Sequence, residues 1–295
     1  MSARPDGSGE ALAGGGGGAS LPATPADALL DAGSPSTMLG LNASGVGEAL
    51  LASTVLDRLL ALRRPAGSSA LLWECSEGAS PLASTGSVSC SLANAGAAVI
   101  GYTEPLSPLA GTALRCTGAS TSEVNGGAGV YPSTATTTAV TLWALVVIRA
   151  MPSVAGCIIG RDYGTTGGAW SDPYGTLLDI LPGGVVRALA PFGASPVADA
   201  LSSGTGEVEI NRLHLVGFTY SGTTLRVWVD GRQVATKSVA SPLTWGTDGS
   251  WHLGGNGGGS ANAFDGQILR AGVETSAWTQ AQWATLYRQT VGAAS

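Results

Sequence analysis

Glu207 and Glu209, two positions apart, are the nearest thing in this 295-residue chain to a pair of catalytic acids. On a β-strand that spacing sets both carboxylates on one face, as the general acid and nucleophile of a retaining glycosidase require. The next in-phase position is Asn211, so a third acid is missing, and a solvated strand entry is the plainer reading. The two histidines, His214 and His252, are the available general bases. Both fall in short apolar runs of β type, where a half-buried packing imidazole is expected, and no strand-to-helix Gly-x-Ser-x-Gly elbow supplies a nucleophile. The single lysine, Lys237, follows Ala235-Thr236 rather than glycine, which excludes a phosphate loop. Cys75, Cys90, Cys116 and Cys157 are spaced by 15, 26 and 41 residues, which fits no zinc motif. They read as small buried hydrophobes of a chain made in a reducing compartment, with a Cys75–Cys116 disulfide as the alternative.

Binding chemistry is better represented. "GRDYGTTGGAWSDPYG", Gly160 to Gly175, reads as a long loop carrying Asp162, Tyr163, Trp170, Asp172 and Tyr174. Aromatic faces stack on sugar C–H surfaces, and carboxylates accept sugar hydroxyls or hold Ca²⁺. Asp162 and Asp172 are the candidate Ca²⁺ ligands; no other cofactor is expected. "TWGTDGSW", Thr244 to Trp251, is a second candidate through Trp245, Asp248 and Trp251. The competing reading of both stretches is turn-capping aspartates and packing aromatics.

The elements that must position these residues are β-strands. In "LRVWVDGRQVATKS" Leu225, Val227 and Val229 alternate with Arg226 and Trp228, and Asp230-Gly231 suits a type I′ turn, whose two central residues need positive φ. "HLVGFTY", His214 to Tyr220, precedes it across a Ser221-Gly222 turn. Further strands are expected in "ALLWEC", "TALRC", "AVTLWALVVIRA", "GCIIGRD", "GTLLDIL", "GVVRALA" and "SWHLGGN". Near the C-terminus, Thr279 and Gln282 form a capping box that opens a helix, with Trp278 stapled to Trp283.

Composition separates an N-terminal part. Residues 1–43 are Gly-, Pro-, Ala- and Ser-rich and cannot build a core. Residues 44–68 hold an apolar helix and linker, with Leu50, Leu51, Val55, Leu56, Leu59, Leu60 and Leu62 on a stripe too wide for a lone surface helix, stopped at Pro65. Two or three copies packed around an axis would cover it, so a homo-oligomer, a trimer first, is expected. Glycine is 45 of 295 residues, about twice the usual 7% or so. Only 12% of residues are charged, with a net charge of −6, which argues against a nucleic-acid partner. No run reaches the roughly 18 apolar residues of a membrane span, and no hydrophobic stretch of secretory-signal type opens the chain.

In order along residues 69–295, "ALRCTGAS", "VTLWALVVIRA", "NRLHLVGFTYSG", "LRVWVDG", "HLGGN" and "FDGQILRAGVETSAWTQAQWATLYRQ" resemble the laminin-G-like, concanavalin-A-like jelly-roll family. That resemblance implies an all-β fold, a two-sheet antiparallel sandwich, whose members bind glycans, proteins or nothing known, and in which Ca²⁺ sites are built from loop carboxylates and carbonyls at one rim. Glucanases of this architecture carry three acids on one strand face, which Glu207, Glu209 and Asn211 do not reproduce. Residues 1–64 resemble the attachment segments of phage fibre and decoration proteins: a glycine-rich arm, a short apolar helix, then the exposed domain. The expectation is a non-enzymatic surface protein of a bacteriophage virion, a tail fibre or tip before a head decoration protein, made in the host cytoplasm. It would display a lectin-like sandwich to a host-surface glycan and join other virion proteins through residues 1–64. The alternatives are an exported bacterial adhesin or glycan-binding module and, third, a glycoside hydrolase.

Overall fold

The computed structural model describes residues 69–75, 82–94, 96–102, 112–119, 122–126, 136–161, 175–193, 197–245, 249–255 and 262–291. The arm, the apolar helix with Leu50, Leu51, Val55, Leu56, Leu59, Leu60 and Leu62, and the boundaries drawn through residues 1–68 lie outside the described residues. Along the chain run β1 (Ser69–Trp73), β2 (Leu82–Ala83), β3 (Ser91–Asn94), β4 (Val99–Tyr102), β5 (Ala113–Thr117), β6 (Val124–Gly126), β7 (Thr136–Thr137), β8 (Ala139–Ile148) and β9 (Gly156–Arg161). There follow β10 (Thr176–Leu181), β11 (Val185–Phe192), β12 (Val197–Ser202), β13 (Leu213–Ser221), β14 (Thr224–Val229), β15 (Arg232–Ser238), β16 (Leu243–Thr244), β17 (Trp251–Leu253), β18 (Asp265–Glu274) and α1 (Gln280–Gln289). Eight strands form one sheet in the order β15-β14-β13-β8-β18-β5-β4, with β1 also on β18. Ten form the other, β2-β3-β6-β17-β9-β10-β11-β16-β7, with β12 on β11. The strand pairings are antiparallel, as expected for a jelly-roll sandwich.

The centre of the first sheet, β8 and β13, is buried on both faces, which is why β8, "AVTLWALVVI", is nearly continuous in hydrophobicity rather than alternating. Val140, Leu142, Ala144, Val146 and Ile148 face the second sheet and join Ile158, Phe218, Val227 and Val229 in the interior. Trp143, Leu145 and Val147 face the other way, into a second core with Leu72, Leu215, Trp228, Trp278, Trp283 and Leu286. The sequence places Leu72, Leu142, Trp143, Ile158, Leu215, Val227 and Val229 in one core; all are buried, but they divide between these two layers. The cause is α1, which covers the outer face.

That helix starts as its sequence requires. The Thr279 hydroxyl accepts from the Gln282 N–H, and the Gln282 side chain accepts from the Thr279 N–H at 2.8 Å. Trp278 and Trp283 meet edge to face at 5.2 Å, Trp283 stacks on Trp228 at 5.5 Å, and Trp278 on Trp143 at 5.7 Å. Gly217 supplies the room. A Cβ there would stand 2.3 Å from Trp283 Cη2 and 2.4 Å from the Leu142 carbonyl oxygen.

Trp143→Ala should therefore cost about 3–5 kcal/mol. Gly217→Ala should cost about 1–3 kcal/mol by overpacking, without removing a single contact. Urea midpoints of the two variants check both values. A Gly217→Ala protein as stable as wild type would mean that Trp283 does not sit in this notch.

Candidate functional site

Several strands of the second sheet end in register at one rim. Arg161, the last residue of β9, pairs with Thr176, the first of β10, and with Trp251, the first of β17. Trp251 in turn pairs with Gly126, the last of β6. Segments 162–174 and 246–248, which contain the expected binding residues, therefore leave from adjacent strand ends. Asp162, Tyr163, Trp170, Asp172, Tyr174 and Asp248 themselves lie outside the described residues, and with them the Ca²⁺ pair.

The root of this rim is built from buried aromatics and one cation. Trp251 lies 6.0 Å from Trp73 and 6.2 Å from Trp245, with tilted rings. The Arg161 guanidinium carbon is 5.8 Å from the Trp245 centroid and 6.0 Å from that of Trp251. Arginine stays charged when buried, and a desolvated guanidinium is attracted to indole faces. Trp245 differs from expectation. Rather than offering an open ring to a sugar, it is 2% exposed and belongs to the sandwich core, because Trp251 and Arg161 crowd around it. Arg161 escaped the sequence reading, although a signal existed, since it is in phase with Ile159, a core residue; Trp251, expected at the rim, is instead fully buried in the core, in phase with Leu253.

The residues suited to acid–base work are committed elsewhere. Glu207 and Glu209 do not lie on a strand, so period two does not align them; their carboxylates meet Arg232 at 3.0 Å and Arg212 at 3.3 Å. His214 is 2% exposed. Its Nε2 accepts from the Glu209 N–H at 3.0 Å, and its Nδ1 meets Asp230 Oδ2 at 2.9 Å. The other Asp230 oxygen accepts from the Leu215 N–H at 3.0 Å. Both ring nitrogens are thus engaged within the protein. His252 is buried on β17, its Nδ1 3.7 Å from Glu123 Oε2. Among the described residues, no three His, Cys, Asp or Glu side chains could together hold a metal ion.

Three further groups are perturbed by burial. Asp179 on β10 is 2% exposed and is clasped by Arg187, whose Nε donates at 3.0 Å. Burial pushes its carboxyl up to about 6, against the lowering effect of Arg187. All four cysteines are buried thiols outside any disulfide, so no Cys75–Cys116 bridge forms. Burial raises Cys90 to about 11 and Cys116 to about 12.

The architecture defines a lectin-type β-sandwich. Residues 123–282, more than half of the chain, match the laminin G type profile of the concanavalin A-like lectin/glucanases superfamily, and the chain belongs to that family. Among solved structures, the botulinum neurotoxin serotype D ligand-binding domain, in complex with N-acetylneuraminic acid, aligns with a TM-score of 0.55 at 11% identity, over 75% of this chain and 50% of that one. The binding domain of Paraclostridial Mosquitocidal Protein 1 aligns with a TM-score of 0.57 at 8% identity, over 75% of this chain and 52% of that one. A Trypanosoma rangeli sialidase, in complex with 2,3-difluoro-KDN, aligns with a TM-score of 0.51 at 15% identity, over 81% of this chain and 38% of that one. The chain spans about half the length of the toxin domains, and the likeness is one of fold. No curated protein matches it.

Because the folded state holds Asp179 above its ordinary value of 3.8, the neutral form is the one favoured by folding. The stability this group contributes is present below about pH 3.8 and lost as pH rises through about 6. Relative to Asp179→Asn, wild type should lose about 3 kcal/mol between the two ends of that window. Urea melts of both proteins at pH 3.5 and 7 test this, and a constant gap would mean that Asp179 titrates as an ordinary aspartate. The thiols should resist maleimide in the native protein at pH 7 and all four should react after unfolding, as counted by mass spectrometry.

Proposed function

We propose that this chain is a non-enzymatic, lectin-like domain that binds a surface glycan at the rim above Arg161, Trp245 and Trp251, with Asp162, Tyr163, Trp170, Asp172 and Tyr174 as its contact residues and Asp248 beside them. The observation that carries this reading is the common root. Two sequence-distant segments, 162–174 with its aromatic and acidic residues and 246–248 with Asp248, leave from strand ends paired through Arg161 and Trp251. A cation buried against two indoles gives that root a fixed shape. The neurotoxin domain in complex with N-acetylneuraminic acid supports a carbohydrate ligand by analogy of fold. The engaged nitrogens of His214 and the separately paired Glu207 and Glu209 favour binding over hydrolysis.

The setting we propose is the surface of a bacteriophage virion, with residues 1–64 as the attachment segment and a trimer formed through the 44–64 stripe. The chain enters the sandwich at Ser69, paired with Glu274, which pairs in turn with Thr141 near the start of β8. The connection 149–155 puts the end of β8 beside the start of β9, so Ser69 and the rim share one end of the sandwich.

Trp170→Ala should abolish retention on bacterial surface polysaccharide and leave thermal unfolding nearly unchanged. Loss of stability with retained binding would assign Trp170 to packing. Retention that disappears in EDTA and returns with Ca²⁺ would assign the ion to Asp162 and Asp172. Sugar release during the assay would replace this reading with a hydrolase. Sedimentation of the full chain as a monomer would remove the trimer.

A further inference from the structure

We propose that His214 is a proton-operated latch: neutral, it ties the connection between β12 and β13 to the β14–β15 turn, and protonated, it releases that connection at Glu209. The geometry fixes the tautomer. The Glu209 N–H can only donate and the Asp230 carboxylate can only accept, so the neutral ring carries its proton on Nδ1 and offers a lone pair at Nε2. A second proton must go to Nε2. That nitrogen then points a donor at a donor across 3.0 Å, inside a site where the imidazole is 2% exposed. The Asp230 contact gains charge and strengthens, so the ring stays with the turn and the Glu209 end gives way.

The surroundings make this opening local. Asp230 is held on its other oxygen by the Leu215 N–H, and Gln280 of α1 donates to the Gly231 carbonyl at 2.6 Å, so the turn is anchored independently. On the connection, Gly206, Glu207 and Val208 donate to the Gly183 and Gly184 carbonyls at 2.7–3.2 Å, and Val208 is buried in the core. The charged groups around His214 are Asp230 on the turn, Glu207, Glu209 and Arg212 on the connection, and Arg232 on β15. Glu209 and Arg212 pair with each other in the open. Glu207–Arg232 spans the same gap as His214, but Arg232 is exposed, so this pair is a screened and minor tie. The Glu209 N–H has the imidazole lone pair as its partner, while the residues after it are held to β8 by the Ile148–Ile210 bridge and by the Asn211 N–H, which donates to the Ile148 carbonyl at 2.7 Å. What is released is the Glu209 amide; Ile210, at 51% exposure, and Asn211, at φ 58, stay on β8 through Ile148.

The test uses the full chain labelled with ¹⁵N, in which His214 and His252 are the only imidazoles. At pH 7.5 the His214 spectrum should show Nδ1 protonated and Nε2 bare. As pH falls to 4.5, the protection factor of the Glu209 amide, corrected for intrinsic exchange, should drop at least tenfold. That of Leu215 and of the β8–β13 ladder should hold. In His214→Gln, which assigns the ring signals by their loss, Glu209 protection should not step with pH. The latch is refuted by a protonated Nε2 at pH 7.5, by constant Glu209 protection, by loss of protection in step with the ladder, or by the same step in His214→Gln. If that variant does not fold, the ring spectrum and the Glu209 amide of wild type decide.

Discussion

The structure rests on a sheet that has to be dry on both sides. A β-sandwich needs one buried face per sheet, yet β8 and β13 carry large apolar groups on both faces. The outer set can be satisfied only by a further layer, and α1 supplies it with Trp278, Trp283 and Leu286. Two notches make the fit possible. Gly217 lets Trp283 lie against β13, and Gly272 lets Trp143 lie against β18, where a Cβ would approach the indole nitrogen to 2.6 Å. The Trp143 indole then donates to Glu274 at 3.1 Å, and Glu274 also accepts from the Ser69 hydroxyl at 2.7 Å. The tryptophan that seals the outer face thus also fixes a buried carboxylate at the end of β18, and through it the first residue of β1.

The second sheet solves a different problem. Its inner face shares the sandwich core through Ile158, Leu178, Ile180 and Leu253, and its rim must end strands without leaving backbone wet or voids open. Tryptophans and an in-phase arginine do this at Trp245, Trp251 and Arg161. Burying a guanidinium is costly unless its surroundings return the lost solvation. Indole faces return part of it and keep the site dry. A rigid frame carrying variable segments is the arrangement from which binding sites on β-sandwiches are made.

Legibility followed the range of the interactions. Asp230-Gly231 and the Thr279–Gln282 capping box are decided within four residues, and both stand in the structure, with φ of 49° at Asp230 and 76° at Gly231. The long strands β8, β13 and β14 announced themselves by apolar content. β2, β7 and β16 have two residues each, too few for any period to show, and β3, "SLAN", buries only Leu92. The division of the core into two layers was hidden because a strand buried on both faces looks the same whichever way each residue points. Glu207 and Glu209 misled for a related reason: spacing of two aligns side chains only where the backbone is extended, and here the backbone turns to reach Gly183 and Gly184. Of the candidate site, the loops were legible by composition, whereas the pairing that brings them together is long-range, joining residues near 161 to residues near 251.

The hairpin turn shows how a residue chosen for shape acquires further work. Glycine or asparagine would satisfy the backbone at position 230 as well as aspartate does. Aspartate alone among them brings two acceptor oxygens and a charge. One oxygen closes the Leu215 N–H at the start of the neighbouring strand; the other sets the tautomer of His214, which in turn satisfies Glu209. Gly231 beside it admits α1, since a Cβ there would stand 2.9 Å from Tyr287 Cβ, and its carbonyl receives Gln280. A two-residue turn therefore joins the hairpin, the connection before β13 and the outer helix. Its local sequence specifies the shape; the identity of its first residue follows from the tertiary contacts.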